Sequence, residues 1–528
     1  MVDFTMAHLS ATDRSQLLLV PEAVDDDVGP GNSVGFIEAF VNELDLARAG
    51  FGRVDAKATG RPGYDPADLL KLDIYGYLNG VRSRRRLEAQ AHRTIEVIWL
   101  LRHLKPDFKT IAEFCRHNRG AFTGVFREFV IVCRQLDLFG KQLLAVDGRR
   151  IKAVNNKDRN FTRSSLAKFM VKFMAKFMAK FMAKFMAKFM AKFMVEADEK
   201  LAAYMKRLDA GDAEEARAGS GGTGGGDGKL AEKIAAPKAK SERHQGMLDE
   251  LERSGEDQVW LTDPDSRAMA RMTKVGVGYN IQLAVDVKHK LIVEQEVSNQ
   301  VLDMEPSAGH GTRCWTWNQV LDMGLLAPTA KAAMGVLEVE RIEAVADRGY
   351  FKIEDIEACE QTGITAYVPK PVRGPAARQG FFTKERFADD PDQDVYVCPG
   401  GASLKPLYKS KVRDNAKLDY CNRAACAGCA LKTRCTANAY RRVWRLENEA
   451  VLDRMAARLA ARPDILDRRR ESLEHPFGTI KQWMNQGAFL MRRLDNLRGE
   501  FSLTALAYNI RRAITLVGVP SLIVAVSA

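Results

Sequence analysis

Two short apolar runs, LLAVD (143–147) and IEAVAD (342–347), each end in an aspartate that stands before a glycine-bearing turn. Apolar runs of this length, bounded by turn residues, read as buried strands. A carboxylate at the end of such a strand is rigidly held, and two near one point offer the oxygen ligands that a hard divalent cation takes. Two such ions about 4 Å apart can activate a water or a 3′-hydroxyl and stabilise the leaving oxygen of a phosphodiester. Asp147 and Asp347 are therefore candidate metal ligands. Asp before Gly is also an ordinary turn residue, so spacing alone leaves both readings open.

The text around these runs alternates in type. Residues 36–140 read helical: Leu69, Leu72, Tyr75 and Leu78 recur at spacing three, as a buried helix face requires. Arg82, Arg84, Arg85 and Arg86 follow, a run expected to read DNA ends; a solvated helix face is the plainer alternative. GYNIQLAVDV (278–287) and KLIVEQEV (290–297) flank a turn at Lys288-His289 and read as a hairpin. Helical text returns from about 447 to 515, broken by Pro463, Pro476 and Gly487. The pattern predicts an α/β core with large insertions.

At 528 residues, 46% apolar and 28% charged, the chain suits a folded protein of several domains. No signal peptide and no uncharged apolar stretch of spanning length is visible, so a soluble, cytoplasmic protein away from membranes is expected. Residues 167–194 are seven tetrapeptides, AKFM with one VKFM. In a helix each repeat drifts about 40°, so no apolar face survives, and seven lysines exclude a spanning helix. An in-frame expansion within a helical arm accounts for them. The glycine tract GSGGTGGGDG (219–228) should be coil. Of the net charge of +12, the repeat carries seven and residues 401–445 carry nine, leaving −4 elsewhere. Nonspecific DNA contact is thereby expected around 401–445.

A third element joins the two aspartates. In RRRESLEHPFGTIKQWMNQ (468–486), Arg470, Glu474 and Lys481 are spaced by four and seven, within about 40° of one face of a continuous helix. A carboxylate between two cations suits a group that holds metal while its neighbours grip phosphates; a salt-bridged surface helix would look similar. Pro476 is expected to kink or restart the helix just after Glu474.

The set LLAVDGRRIKAVNNKDRNF, LTDPDSRAM, GVGYNIQLAVD, AVADRGYF and ESLEHPFGTIKQWM resembles the bacterial insertion-sequence transposases of the DDE class. Arg470, Glu474 and Lys481 match the later part of their Y-x2-R-x3-E-x6-K signature, whose tyrosine position holds Asp467 here. GRPGYDPADLLKLDIYGYLNGVRS and TIAEFCRHNR are similar to the helical N-terminal domain of that group. The resemblance implies an RNase H-like catalytic core in which Asp147, Asp347 and Glu474 hold two divalent cations, Mg²⁺ or Mn²⁺. It also implies that Arg470 and Lys481 contact DNA. The reaction implied is cleavage at the element ends followed by strand transfer into target DNA. A catalytically inactive DNA-binding derivative and an RNase H-like nuclease without strand transfer are the alternatives. Partners would be double-stranded DNA, as terminal inverted repeats and target, and a second copy of the chain on DNA, close to the nucleoid.

The expected layout begins with a helical N-terminal domain at 1–140 and the first core strand at 141–160. An insertion at 161–254 carries the repeat and the glycine tract, and the core resumes at 255–390. A cysteine-rich basic insertion occupies 391–449, and the catalytic helix with C-terminal helices fills 450–528. In that second insertion Cys426, Cys429 and Cys435 form C-x2-C-x5-C, and with Cys398 they can build a zinc tetrahedron, Cys421 being the alternate. Cys115, Cys133, Cys314 and Cys359 read as core thiols. His475 adjoins Glu474 and is expected to be structural or DNA-facing, with a catalytic role as the alternative.

Overall fold

The computed structural model describes residues 24–54, 63–154, 160–162, 258–260, 262–271, 274–299, 322–371, 379–412 and 415–527, with single positions at 199, 246, 249 and 253. The tetrapeptide repeat, the glycine tract and Cys314 lie outside them. The chain divides into two compact units, residues 1–154 with 266–528, and residues 155–265.

Six helices occupy the first helical stretch: α1 (Ser33–Asn42), α2 (Pro66–Leu78), α3 (Arg84–Ala91), α4 (Ile95–Leu100), α5 (Phe108–His117) and α6 (Ala121–Gln135). Short polar side chains start three of them. Asn32 caps the Val34 N–H, Asp65 caps Ala67 ahead of Pro66, and Asp107 caps Thr110. Phe36, Phe40 and Phe129 pack with ring centroids 5.6–5.8 Å apart and tie α1 to α6.

Helix α2 is buried on nearly all sides, so its charges must find partners inside. Lys71 meets Glu38 at 2.8 Å, Asp68 accepts from Arg102 at 2.6 Å, and Asp73 pairs with Arg84 at 3.3 Å. This corrects the arginine run. Arg84 is held by Asp73, and Arg82 is 8% exposed, bonded to the Glu500 carboxylate and to the carbonyls of Asn485 and Ala488, both at 3.0 Å. Neither guanidinium is open to DNA. Arg85 and Arg86 remain exposed.

Strand β1 (Leu143–Lys152) opens the sheet. In the second unit, β2 (Asn160–Thr162) pairs antiparallel with β3 (Gln258–Trp260). The main sheet continues with β4 (Arg267–Arg271), β5 (Lys274–Asp286) and β6 (Ile292–Ser298). Helix α7 (Leu326–Leu337), β7 (Ile342–Val345), α8 (Ile353–Gln361) and β8 (Ile364–Tyr367) follow. The order is β4-β5-β1-β7-β8, with β6 also on β5. The anticipated hairpin is β5–β6, with Asn280 opposite Ser298 and Val285 opposite Ile292. Strands β1, β7 and β8 are parallel, and α7 lies across the sheet.

A separate antiparallel sheet forms from β9 (Ala388–Asp390), β10 (Val395–Val397), β11 (Ser403–Val412), β12 (Asn415–Cys421) and β13 (Arg442–Leu446). Between its last strands sit α9 (Arg423–Ala427) and α10 (Lys432–Cys435). Phe387, Tyr396, Leu404, Tyr420 and Val443 give this module a small core of its own. Helices α11 (Ala450–Ala461), α12 (Ile465–Gly478) and α13 (Leu494–Val526) end the chain.

Helix α13 joins bundle to sheet. It packs on α1, α2 and α6, and its Asn509 side chain accepts from the Ile292 N–H at 2.9 Å and donates to the Ile292 carbonyl at 2.7 Å, completing the edge of β6. By length and composition alone α13 is long and apolar enough to cross a membrane, against the expectation that no stretch of spanning length is present. Its residues from Leu497 to Ile510 are largely core, Arg511 and Arg512 follow, and Gly518 (φ 78°) breaks it before Pro520.

Glu500 accepts from Arg82 and from the N–H groups of Leu490 (3.0 Å) and Met491 (2.9 Å). Removing one partner leaves an uncompensated buried charge. Arg82→Met should therefore lower unfolding stability by about 3–5 kcal/mol in denaturant titration, whereas Arg86→Ala should be near neutral. Equal small effects would contradict a structural Arg82.

Candidate active site at the ends of two parallel strands

Parallel register brings the two aspartates together. Leu143, Leu144 and Ala145 of β1 stand beside Glu343, Ala344 and Val345 of β7. Two residues further on, Asp147 and Asp347 fall level and on the same side of the sheet, because side chains alternate with period two. Asp347 then caps the short 3-10 turn Arg348–Tyr350, its Oδ1 accepting from Gly349 N–H at 2.7 Å. Asp147 Oδ1 accepts from Gly148 N–H at 2.9 Å.

Arg469 of α12 bridges them. Its Nη2 lies 2.9 Å from Asp147 Oδ1 and 3.9 Å from Asp347 Oδ2. Burial pushes the Asp147 carboxyl up to about 6; Arg469 pulls it down, and Asp347 and Asp322 push it further up. One guanidinium thus only partly compensates the charge collected here.

Asp322 is a member of this cluster that the sequence reading missed. It is 9% exposed, and its Oδ1 accepts from Asn280 Nδ2 at 2.7 Å and Gln282 Nε2 at 2.5 Å. The Tyr350 hydroxyl donates to Gln282 Oε1, which orients that amide with its N–H groups towards Asp322. A Cβ on Gly148 would fall on Asp322 Oδ1 and on Gln282 Nε2, and one on Gly349 would stand 3.5 Å from Asp322 Oδ2. The glycines after the two strand-end aspartates make room for this third carboxylate. A sequence signal did exist: the hexapeptide NQVLDM occurs at 299–304 and again at 318–323, where it supplies Asp322.

Helix α12 carries the rest of the set. Ile465, Ser472, Leu473, Pro476 and Phe477 form its buried face, with Phe477 beneath the Arg149 guanidinium. Glu474 lies on the exposed side, and among the described residues it forms no metal-holding group with Asp147 and Asp347. Arg470 is exposed and meets Asp467 at 3.2 Å; Lys481 is exposed too. The break expected at Pro476 does not occur. The helix runs through it and then widens into a π-helical turn over Thr479–Trp483, which shifts the phase of Lys481 relative to Arg470. Trp483 on that turn is 72% exposed, with Arg511 over its ring. His475 turns away from the aspartates, its Nδ1 2.8 Å from the Tyr508 hydroxyl, and burial lowers its pKa.

In the antiparallel module Cys398, Cys426, Cys429 and Cys435 line one cavity of about 520 Å³. A Cβ on Gly400 would stand 3.6 Å from Cys429 Sγ and 3.7 Å from Cys398 Sγ. Burial pushes the Cys435 thiol up, Arg441 pulls it down, and Cys426, Cys398 and Cys429 push it up again. Cys421 lies in β12, outside that cavity. Among the described residues no group of three or more His, Cys, Asp or Glu is drawn up tightly as a metal shell. The thiol chemistry nevertheless suits zinc. Cys115, Cys133 and Cys359 are buried, as core thiols should be.

Two family models match the chain: a transposase domain (DUF772) over residues 22–117 and a transposase DDE domain over 397–514. The first covers α1 to α5; the second covers the cysteine module, Glu474 and most of the last helices. Asp147 and Asp347 lie between the matched stretches. No curated protein matches.

The Asp147 shift sets a pH test. Its folded value lies above the 3.8 of an ordinary aspartate, so its contribution to stability is complete below pH 3.8 and is lost as pH rises through about 6. Without added Mg²⁺ or Mn²⁺, the lead of Asp147→Asn over the parent in melting temperature should be larger at pH 7.5 than at pH 5, by roughly 2 °C or more. A gap that does not change between those pH values would contradict the burial argument.

Proposed function

We infer that this chain, an insertion-sequence transposase of the DDE class acting on DNA, hydrolyses a phosphodiester at each end of its element and joins the freed 3′-hydroxyl to target DNA. The observation that carries this reading is the parallel register that sets Asp147 and Asp347 level, with a cation already between them. Asp147, Asp347 and Glu474 are the residues we assign to two divalent cations, Mg²⁺ or Mn²⁺. Asp147 and Asp347 offer hard, partly buried carboxylate oxygens beside a single guanidinium, and Glu474 brings an exposed carboxylate from α12. Bound there, the cations would supply Lewis acidity to the attacking and leaving oxygens.

The chain's own groups do the rest. Arg469 holds Asp147 and Asp347 in place until that charge is taken over. Arg470 on α12 and Lys481 on the π turn after it, both exposed, grip phosphates near the element end, and Arg85 and Arg86 extend the contact on α3. The Asp467–Arg470 pair is exposed at both ends, so it is worth little and phosphate displaces it. The same pair is what would favour a non-catalytic, DNA-binding derivative. In the antiparallel module, half-exposed Trp444 with Lys384 and Lys417 over its ring offers a stacking and charge surface for nonspecific DNA. We assign Cys398, Cys426, Cys429 and Cys435 to a structural zinc. Because two element ends must be held together, a homodimer on DNA is the working assembly, in the cytoplasm at the nucleoid.

The test is a supercoiled donor bearing the gene with its flanking genomic DNA, incubated with full-length protein, Mg²⁺ and a target plasmid. Nicks at the element ends and joined products are expected, and Asp347→Asn should lose both by at least about 10³-fold while keeping DNA binding. Binding without cleavage would favour the inactive derivative; cleavage without joining would favour the nuclease. Elemental analysis should find close to one zinc per chain, lost in Cys429→Ser; zinc-free, fully folded protein would overturn that site.

A further inference from the structure

We propose that Asp322 is a further carboxylate of the metal centre, presenting Oδ2 to a divalent cation beside Asp147 and Asp347. This rests on reading those two aspartates as metal ligands. Three observations carry it. First, Oδ1 is committed to Asn280 and Gln282, and among the described residues no donor reaches Oδ2. Second, a glycine follows each strand-end aspartate, directly at Gly148 and after Arg348 at Gly349, and a Cβ there would meet the Asp322 carboxylate: Oδ1 at Gly148, Oδ2 at Gly349. Third, the amides that hold Asp322 are themselves unusual. Asn280 is 1% exposed and its Oδ1 is buried without a partner, while Gln282 is fixed by the fully buried Tyr350.

A purely structural acid would be a poor choice here. A carboxylate at this depth costs folding free energy, and the two neutral amides that hold it cancel no charge. Asparagine would fill the same space, and its Oδ1 would still accept from both amides. What the carboxylate adds is a charged oxygen, held at a fixed angle by donors behind it, on the side where the other acids converge. That is the usual construction of a metal ligand, one oxygen outward and the other hydrogen-bonded within. The cation class follows from the donors: oxygen ligands select Mg²⁺, Mn²⁺ or Ca²⁺ over thiophilic metals.

The test is calorimetric titration of Mn²⁺ into full-length protein passed over a chelating resin, with its cysteine-bound zinc left in place. Mn²⁺ ranks below Zn²⁺ in affinity for such ligands and does not displace it. Asp322→Asn should bind Mn²⁺ at least about 10-fold more weakly than the parent, while melting no lower than the parent in the absence of Mn²⁺. A structural role would do the reverse, lowering the melting temperature and leaving Mn²⁺ affinity alone, and would overturn the proposal. If Asp322→Asn does not fold, Asp322→Ser, smaller and still able to accept from Asn280, is titrated against the same criterion. Parent-like binding in the Asp322 variant together with loss in Asp147→Asn would sink the role of Asp322 and leave the two-aspartate centre standing. No Mn²⁺ binding by the parent would overturn both.

Discussion

Carboxylates gathered at one end of a buried sheet repel one another, and the fold must supply a counter-charge or leave them protonated. Here Asp147, Asp347 and Asp322 converge on a single guanidinium, that of Arg469. One positive charge faces three acids, and the Asp147 pKa is raised by burial first, with Asp347 and Asp322 adding to it against the pull of Arg469. Everything around the site serves to keep these groups close in spite of it. Parallel pairing of β1 with β7 sets the register, glycines at 148 and 349 clear the space, and α12 delivers the arginine across the strand ends.

That delivery depends on packing far from the acids. The stretch after α12 is anchored by the Phe489 N–H to the Lys152 carbonyl, at 2.9 Å, and by Glu500 and Arg82. Arg82 begins the segment before α3, and Glu500 belongs to α13, which also completes β6 through Asn509. The helical bundle, the sheet and the flank of α12 therefore share one buried ion pair. A break there leaves a lone charge in the interior, so the N-terminal helices and the main sheet depend on the same buried pair.

Much of this was legible in the sequence because it rests on local pattern. Apolar runs ending in Asp147 and Asp347, the β5–β6 hairpin and the helical stretches follow from periodicity and turn residues, and the register of β1 on β7 needed only their parallel pairing. What escaped the reading depends on contacts distant in sequence. Arg82 and Arg84 look like a DNA-facing run until Glu500 and Asp73 are seen to claim them. Asp322 is an unremarked residue of a repeated hexapeptide until Asn280 and Gln282 receive it. Arg469 stands in a run of three arginines, and only helix phase decides that it turns inward while Arg470 faces out. Pro476 argued for a break, yet its side chain is buried beside Phe477 and the helix runs through it to the π turn beyond.

If the Asp147–Asp347 pair is a cation site, Arg469 keeps the place of the metal there. Crystals of the full-length protein grown with Mn²⁺, measured at the manganese absorption edge, test it directly. The account predicts anomalous density between Asp147 and Asp347, with the Arg469 guanidinium withdrawn from its 2.9 Å contact with Asp147. Arg469 still bridging both aspartates at saturating Mn²⁺, with no anomalous density beside them, would contradict it.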